Sequence, residues 1–386
     1  MSKTYRPLSE VRKELRVRWY RSPIDHDKLR ALSKRDDRQG WIQAGGHLAL
    51  FIGTGTLTFF FWWQESWFYF LASLWIHGTV GSFFSGVAPH ELGHGTVFRN
   101  KKLNIFFKSL FSLLSWWDPY DYSSSHTFHH RYTMYPEGDR ENLPPLEPAL
   151  GFKVLIRLFT VDFFSPPGRN FGKGGVFSTI FVTIKSAFGT VGSTEIPSRE
   201  WLKAIHQDQP SEFLKSIQWS RLLLFFHGTL LVFSFLSGLW VLPLLLTFFP
   251  FIGNWLVYFV SVTQHCGLQD NVPDFRKCAR SIVLNPVVEF LYWRMNWHTE
   301  HHMYAGVPCY KLKLLAREIA SDMPEPRTLF SAWKEMRATW QRQKVDPNYQ
   351  FDTPLPEMAG AAHASISDES DELVSSIGEL APQDLR

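Results

Sequence analysis

Residues 45–88 read GGHLALFIGTGTLTFFFWWQESWFYFLASLWIHGTVGSFFSGVA, and between Arg38 and Arg99 the chain carries no Lys or Arg at all. A helix needs about 20 apolar residues to cross a hydrocarbon core. The window therefore holds two spans, parted by the polar Gln64, Glu65 and Ser66. A second window free of Lys and Arg, between Arg221 and Arg276, holds two more: LLLFFHGTLLVFSFLSGLW (222–240) and LLLTFFPFIGNWLVYFVSV (244–262), around a turn near Val241 to Pro243. The expectation is an all-α integral membrane protein with four transmembrane helices in two hairpins.

Composition agrees. Aromatic residues make up 16% of the 386, with 34 Phe and 16 Trp, which is unusual for a soluble chain. Residues 1–45 hold 12 Lys or Arg against 6 Asp or Glu, while the hairpin tips hold no Lys or Arg. The positive-inside rule then places both termini in the cytoplasm. The run VRKELRVRWYR (11–21) reads as a juxtamembrane helix near anionic lipid, and no nucleic-acid partner is expected. No charged-then-apolar leader precedes it, so a cleaved secretory signal is not expected. The organisation is a basic cytoplasmic segment (1–44), a membrane domain (45–317), a cytoplasmic C-terminal segment (318–359) and a disordered Ser-rich acidic tail (360–386).

Two further apolar stretches are too short to span. LNIFFKSLFSLLSWW (103–117) repeats apolar residues at helical spacing through Leu103, Phe106, Phe107, Leu110, Leu113, Leu114 and Trp117. VFSTIFVTIKSAF (176–188) does so through Phe177, Ile180, Phe181, Ile184 and Phe188. Both read as interfacial amphipathic helices, with a Pro-rich charged loop, PEGDRENLPPLEPAL (136–150), between them.

This topology gathers histidines. His90 and His94 in HELGH lie at the cytoplasmic end of the second span, at i and i+4. His126, His129 and His130 in HTFHH follow with no further crossing, His265 ends the fourth span, and His298, His301 and His302 in WHTEHHMY lie beyond it. Nine histidines thus share one membrane face as a His-rich helical cap. Each HxxHH triplet falls on one side of a helix, and neutral imidazoles converging this way suit a metal centre. Nine ligands exceed one ion and favour two transition-metal ions of higher coordination number. Iron, copper, nickel and zinc all accept imidazole, so spacing leaves the metal open. His77 and His227, alone within spans, read as helix-packing hydrogen bonders. His265 shares a polar helical face with Asn254, Tyr258 and Ser261.

HELGH, HTFHH and NWHTEHHMYAGVPCYKL (296–312), in this order and flanking paired spans, resemble the three histidine boxes of the membrane-bound fatty acid desaturase superfamily. The third box and its VP turn are closest to the acyl-lipid desaturase branch. The resemblance covers roughly residues 45–317. It implies two iron ions (Fe2+/Fe3+), dioxygen as co-substrate, a lipid or fatty acyl substrate, and electrons from cytochrome b5 or a ferredoxin-type donor. It places the metal ligands on His90, His94, His126, His129, His130, His298, His301 and His302, with His265 as the additional ligand of some branches. The expected activity is acyl desaturation, with hydroxylation or another oxygenation by the same centre as the alternative. The expected membrane is the endoplasmic reticulum in a eukaryote and the inner membrane in a bacterium. No HPGG-like haem segment occurs, so the electron donor is expected to be a separate protein.

Neighbouring polar residues carry weaker readings. Glu91 and Glu300 lie inside boxes and read as acceptors for ligand N–H groups or as solvated carboxylates. Asp118 and Asp121 share the first reading or cap the following helix. Asp139 is expected in a structural role in its loop. Cys266 reads as an inert buried thiol, and disulfides are not expected among Cys266, Cys278 and Cys309. Two other classes collect histidines at a membrane: a zinc-dependent lipid hydrolase, against which nine ligands argue, and a haem or metal carrier, in which two axial histidines would leave seven unexplained.

Overall fold

The fold is seen in a computed structural model, which describes residues 5–166, 174–190 and 197–357. The acidic tail at 360–386 lies outside the described residues. The described chain is mostly helical with almost no strand; its one sheet pairs the two-residue strands β1 (Ile282–Val283) and β2 (Arg327–Thr328) in parallel.

A short N-terminal helix, α1 (Leu8–Glu14), precedes the first hairpin, α2 (Gly46–Trp63) and α3 (Trp67–Gly81). Among the described residues, three stretches are long and apolar enough to cross a bilayer: Asp37–Trp63, Trp67–Gly93 and Pro210–Ser237. Their outward faces carry Leu50, Phe60, Phe68, Leu71, Phe225, Val232 and Phe235, as a lipid-facing surface does. Glu65, at φ +53°, turns the first hairpin. His77 and His227 take the packing roles expected of them. His77 Nδ1 lies 2.9 Å from Thr54 Oγ1 and its Nε2 2.9 Å from the Leu245 carbonyl. His227 lies 3.1 Å from Thr247 Oγ1 and 3.0 Å from the Leu113 carbonyl.

The second apolar window behaves differently from expectation. Its first half is a long helix, α10 (Pro210–Ser237), numbered after six helices described below, and it closes on Gly238 in the left-handed region. The second half is not one helix. It is α11 (Val241–Leu246), a 3-10 turn at Phe249–Phe251 and α12 (Trp255–Ser261). Pro250 offers no N–H and Gly253 sits at φ +63°, so the ladder cannot continue. The freed backbone groups find partners in the segment after α7 (Phe152–Phe159): Asp162 N donates to the Phe251 carbonyl at 2.8 Å and Gly253 N to the Thr160 carbonyl at 3.0 Å. Irregular backbone in an apolar setting survives only when protein satisfies it. Glycine at 78 is also required, since a Cβ there would lie 2.3 Å from the Ile252 carbonyl oxygen. Helix α7 itself was not expected. The break also ends the polar face proposed for His265: Asn254 caps α12, and His265 stands in a turn beyond it.

Between α3 and α10 lie α4 (Val87–Gly93), α5 (Lys101–Leu114), α6 (Pro119–Tyr132), α8 (Val176–Ala187) and α9 (Pro197–Asp208). Helix α8 buries Val176, Thr179, Thr183 and Ala187 and exposes Phe177, Phe181, Ile184 and Phe188. Its apolar stripe therefore faces outward, the inverse of a helix in water and the arrangement an interfacial helix needs. In α5, Phe107, Phe111 and Leu114 are buried while Ile105 and Phe106 face out, so the expected stripe is shared between core and exterior. The N-terminal run is less solvated than expected: Leu8 and Val11 pack on Phe128, Tyr132, Trp201 and Ile205, and Arg12 pairs with Asp208 at 2.7 Å.

Candidate metal centre

Each histidine box is presented by a short, well-ended helix. Gly86, at φ +81°, starts α4 and carries His90 on its last turn, with His94 as the C-terminal cap. Asp118 caps α6, its Oδ1 accepting from Tyr120 N at 3.0 Å and Asp121 N at 3.2 Å, and Pro119 occupies the first position, where a missing N–H costs nothing. Box two fills the last turns of that helix. Box three forms α13 (His298–Met303).

The nine histidines fall into two groups. His90, His94, His126, His130 and His301 bring ligand nitrogens within 4.8 Å of one another, and so do His129, His265, His298 and His302. Helix geometry explains the division. The i, i+4 pair of box two, His126 and His130, joins the box-one residues, and His129 turns toward the other group. In box three the pair His298 and His302 joins His265, and His301 crosses to the first group.

The nitrogens fit metal ions. His298 Nε2 lies 2.9 Å from His265 Nε2 and 3.1 Å from His302 Nε2; His301 Nε2 lies 3.3 Å from His130 Nε2. The buried Nε2 atoms of His90, His94 and His126 have no partner among the described residues. Lone pairs converging at these distances repel unless a cation or proton lies between them. Burial pushes His94 down to about 4 and His265 to about 3, and drives His126, His130, His298, His301 and His302 well below the usual imidazole value. Shifts in this direction favour the neutral ring, the form in which imidazole binds a metal. In His129 burial acts the same way, but the Asp139 carboxylate outweighs it and the net shift is upward.

The opposite ring nitrogens are held in turn. His90 Nδ1 lies 2.9 Å from Glu91 Oε1, which also stands 3.5 Å from His301 Nδ1. His129 Nδ1 lies 2.9 Å from Asp139 Oδ2, His265 Nδ1 2.8 Å from the Cys278 carbonyl and His302 Nδ1 3.2 Å from Thr133 Oγ1. Such acceptors leave Nε2 free and orient the ring. Among the described residues no Lys or Arg forms an ion pair with Glu91, Asp139, Glu141 or Glu300, though all four are buried. Burial pushes Glu141 and Glu300 up to about 7. Buried carboxylates without cations are costly, and divalent ions amid neutral imidazoles would balance them.

The remaining candidates separate clearly. Glu91 touches ligand rings; Glu300 instead accepts from Ser281 Oγ at 2.5 Å, and Asp121 lies 2.8 Å from His206 Nε2. Cys266 Sγ donates to the Leu146 carbonyl at 3.1 Å, and burial pushes it up to about 12, an inert thiol as expected. Cys278 and Cys309 are also free. Sequence reasoning missed Thr133, Tyr122, whose ring stacks on His126 at 5.1 Å, and Glu141, 3.8 Å from His126 Nδ1. Only Glu141 left a signal, as the second carboxylate of the DRE triplet.

Helices of bilayer length, ending at one buried cluster of histidines, define a membrane protein of the histidine-box class. The family model for fatty acid desaturase matches residues 65–333, and the chain belongs to that family, which is known for iron use. No curated protein matches the chain.

Proposed function

We propose that the protein is a di-iron, dioxygen-dependent oxidase of unactivated C–H bonds in a lipid or fatty acyl chain, and that its reaction is desaturation. The observation that carries this reading is the division of nine buried or half-buried histidines into groups of five and four, four of them with a hydrogen-bond acceptor behind the ring. His90, His94, His126, His130 and His301 would hold one iron, and His129, His265, His298 and His302 the other. A methylene C–H has no acidity for a base to use, and two irons held there would supply the reductive activation of dioxygen that can break it.

The chain's own residues set the conditions. Neutral imidazoles present lone pairs without adding charge, the carboxylates behind them balance the ions, and burial keeps water from the oxidant. Removing two hydrogens yields two electrons, while reducing dioxygen to two waters takes four. A separate donor of cytochrome b5 or ferredoxin type must supply the other two.

The topology proposed is four crossings, the last through the broken segment 241–261, with both termini and the histidine cap cytoplasmic. Trp240 lies against Trp62 at 5.6 Å and Trp67 at 6.4 Å, while His265 lies among the boxes, which supports passage from one end of the hairpins to the other. The clustered tryptophans suit the opposite interface. Metal analysis of the purified protein with reductant-driven oxygen uptake tests the reading: iron with uptake supports it, and zinc without uptake would overturn it.

A further inference from the structure

The turn after α6 brings three consecutive residues, Asp139, Arg140 and Glu141, against the centre from outside the boxes. Their side chains alternate. Asp139 and Glu141 point to the histidines, and Arg140 points away into a socket of its own. Its guanidinium donates to Glu200 Oε1 at 2.6 Å, lies over the Tyr5 ring at 4.2 Å and stands 5.2 Å from the Trp201 ring.

The turn has little freedom. Asp139 is completely buried and accepts three times: Oδ2 from His129 Nδ1 and from Met134 N, both at 2.9 Å, and Oδ1 from Glu141 N at 3.0 Å. Glu141 accepts from Ser125 Oγ at 2.7 Å, which in turn accepts from Trp201 Nε1 at 2.8 Å. Its other oxygen stands 3.8 Å from His126 Nδ1, an electrostatic rather than a hydrogen-bond distance, and the Tyr122 hydroxyl is that nitrogen's hydrogen-bond neighbour at 3.4 Å. Gly138 is forced by contact, because a Cβ there would lie 2.5 Å from the Tyr132 ring. His129 and His126 belong to different groups.

We infer that this triplet is a two-armed positioning clamp. Asp139 orients His129 for the four-histidine ion through a hydrogen bond, Glu141 sets negative charge behind His126 and its Tyr122 partner for the five-histidine ion, and Arg140 locks both arms at once. The inference rests on the two-iron reading and deepens it. Asp139 fixes the N–H on His129 Nδ1 and so keeps Nε2 as the ligand atom, Glu141 supports His126 by its charge, and losing such an outer partner typically weakens metal binding tenfold to a hundredfold. This gives Asp139 a role toward the metal site in addition to the structural one expected of it.

The test uses Asp139→Asn, Glu141→Gln and, as a same-loop control, Glu137→Gln, whose side chain is half exposed and pairs with Arg6. Each full-length protein is loaded with 57Fe, counted for iron per chain and examined by Mössbauer spectroscopy beside His265→Ala and His94→Ala, which mark the two sites. The clamp predicts two irons in the control and a tenfold to hundredfold weaker second iron in each arm variant. Asp139→Asn should leave the spectrum left by His265→Ala, and Glu141→Gln that left by His94→Ala. Two irons and unaltered spectra in both arm variants would overturn the clamp, as would loss of both irons together in each. A wild-type chain that does not bind two irons would overturn the two-iron reading instead.

Discussion

His130 and His302 stack with ring centroids 4.5 Å apart, although one belongs to the five-histidine group and the other to the four-histidine group. The two groups are therefore neighbours sharing a wall of imidazole.

Ligand deletion is the first consequence. His301→Ala and His129→Ala should each abolish turnover and lower bound iron, with membrane insertion unchanged. Elemental analysis of the detergent-purified variants reads this directly. Full activity in His301→Ala would remove box three from the five-histidine group.

His227→Ala should separate structure from chemistry. The ring is fully buried, stacks on Trp116 at 3.9 Å and is held at both nitrogens. Its loss leaves buried groups unsatisfied, at a cost of about 1–3 kcal/mol. Thermal melting should show the destabilisation, while iron per folded chain stays at the wild-type value. Lost iron would give His227 a part in the centre that its distances do not suggest.

Metal removal should loosen the whole cap. An ion bound only by the folded state stabilises it by mass action, and here α4, α6 and α13 each bring histidines to the two groups. Chelation under reducing conditions should lower the melting temperature, and ferrous iron should restore it. An unchanged melting curve would mean that the helices hold the histidines together without metal.

Gly78→Ala should damage the fold far from the histidines. The new methyl would meet the Ile252 carbonyl oxygen at the break in the last apolar segment, and such overpacking costs about 1–3 kcal/mol. Reduced yield and melting temperature are expected; wild-type stability would show that α3 and the segment 249–253 are free to separate.

These outcomes also mark what the sequence could say. The boxes were legible because i, i+3 and i+4 spacing is local, and α6 and α13 reproduce it. The first hairpin and α10 were legible because charge-free windows of that length are rare outside membranes. The break at Pro250 and Gly253 was written in the sequence, but an apolar run outweighed two residues whose backbone partners, Thr160 and Asp162, lie some 90 positions earlier. The division into five and four was not legible, because it depends on how α13 docks on α6. The contact of Asp139 with His129 was hidden for a similar reason: a charged loop looks solvated until the turn at Met134 folds it inward.

The central claim is oxidation of a lipid C–H bond, and mass spectrometry of the lipids of a desaturase-deficient host expressing this chain tests it most directly. The account predicts acyl chains lighter by two hydrogens, carrying a new double bond, formed with the wild-type chain and absent with His301→Ala. A hydroxylated product would keep the oxidising centre and contradict desaturation. A lipid pool identical with and without the protein, in cells that supply iron and a reduced donor, would contradict the claim itself.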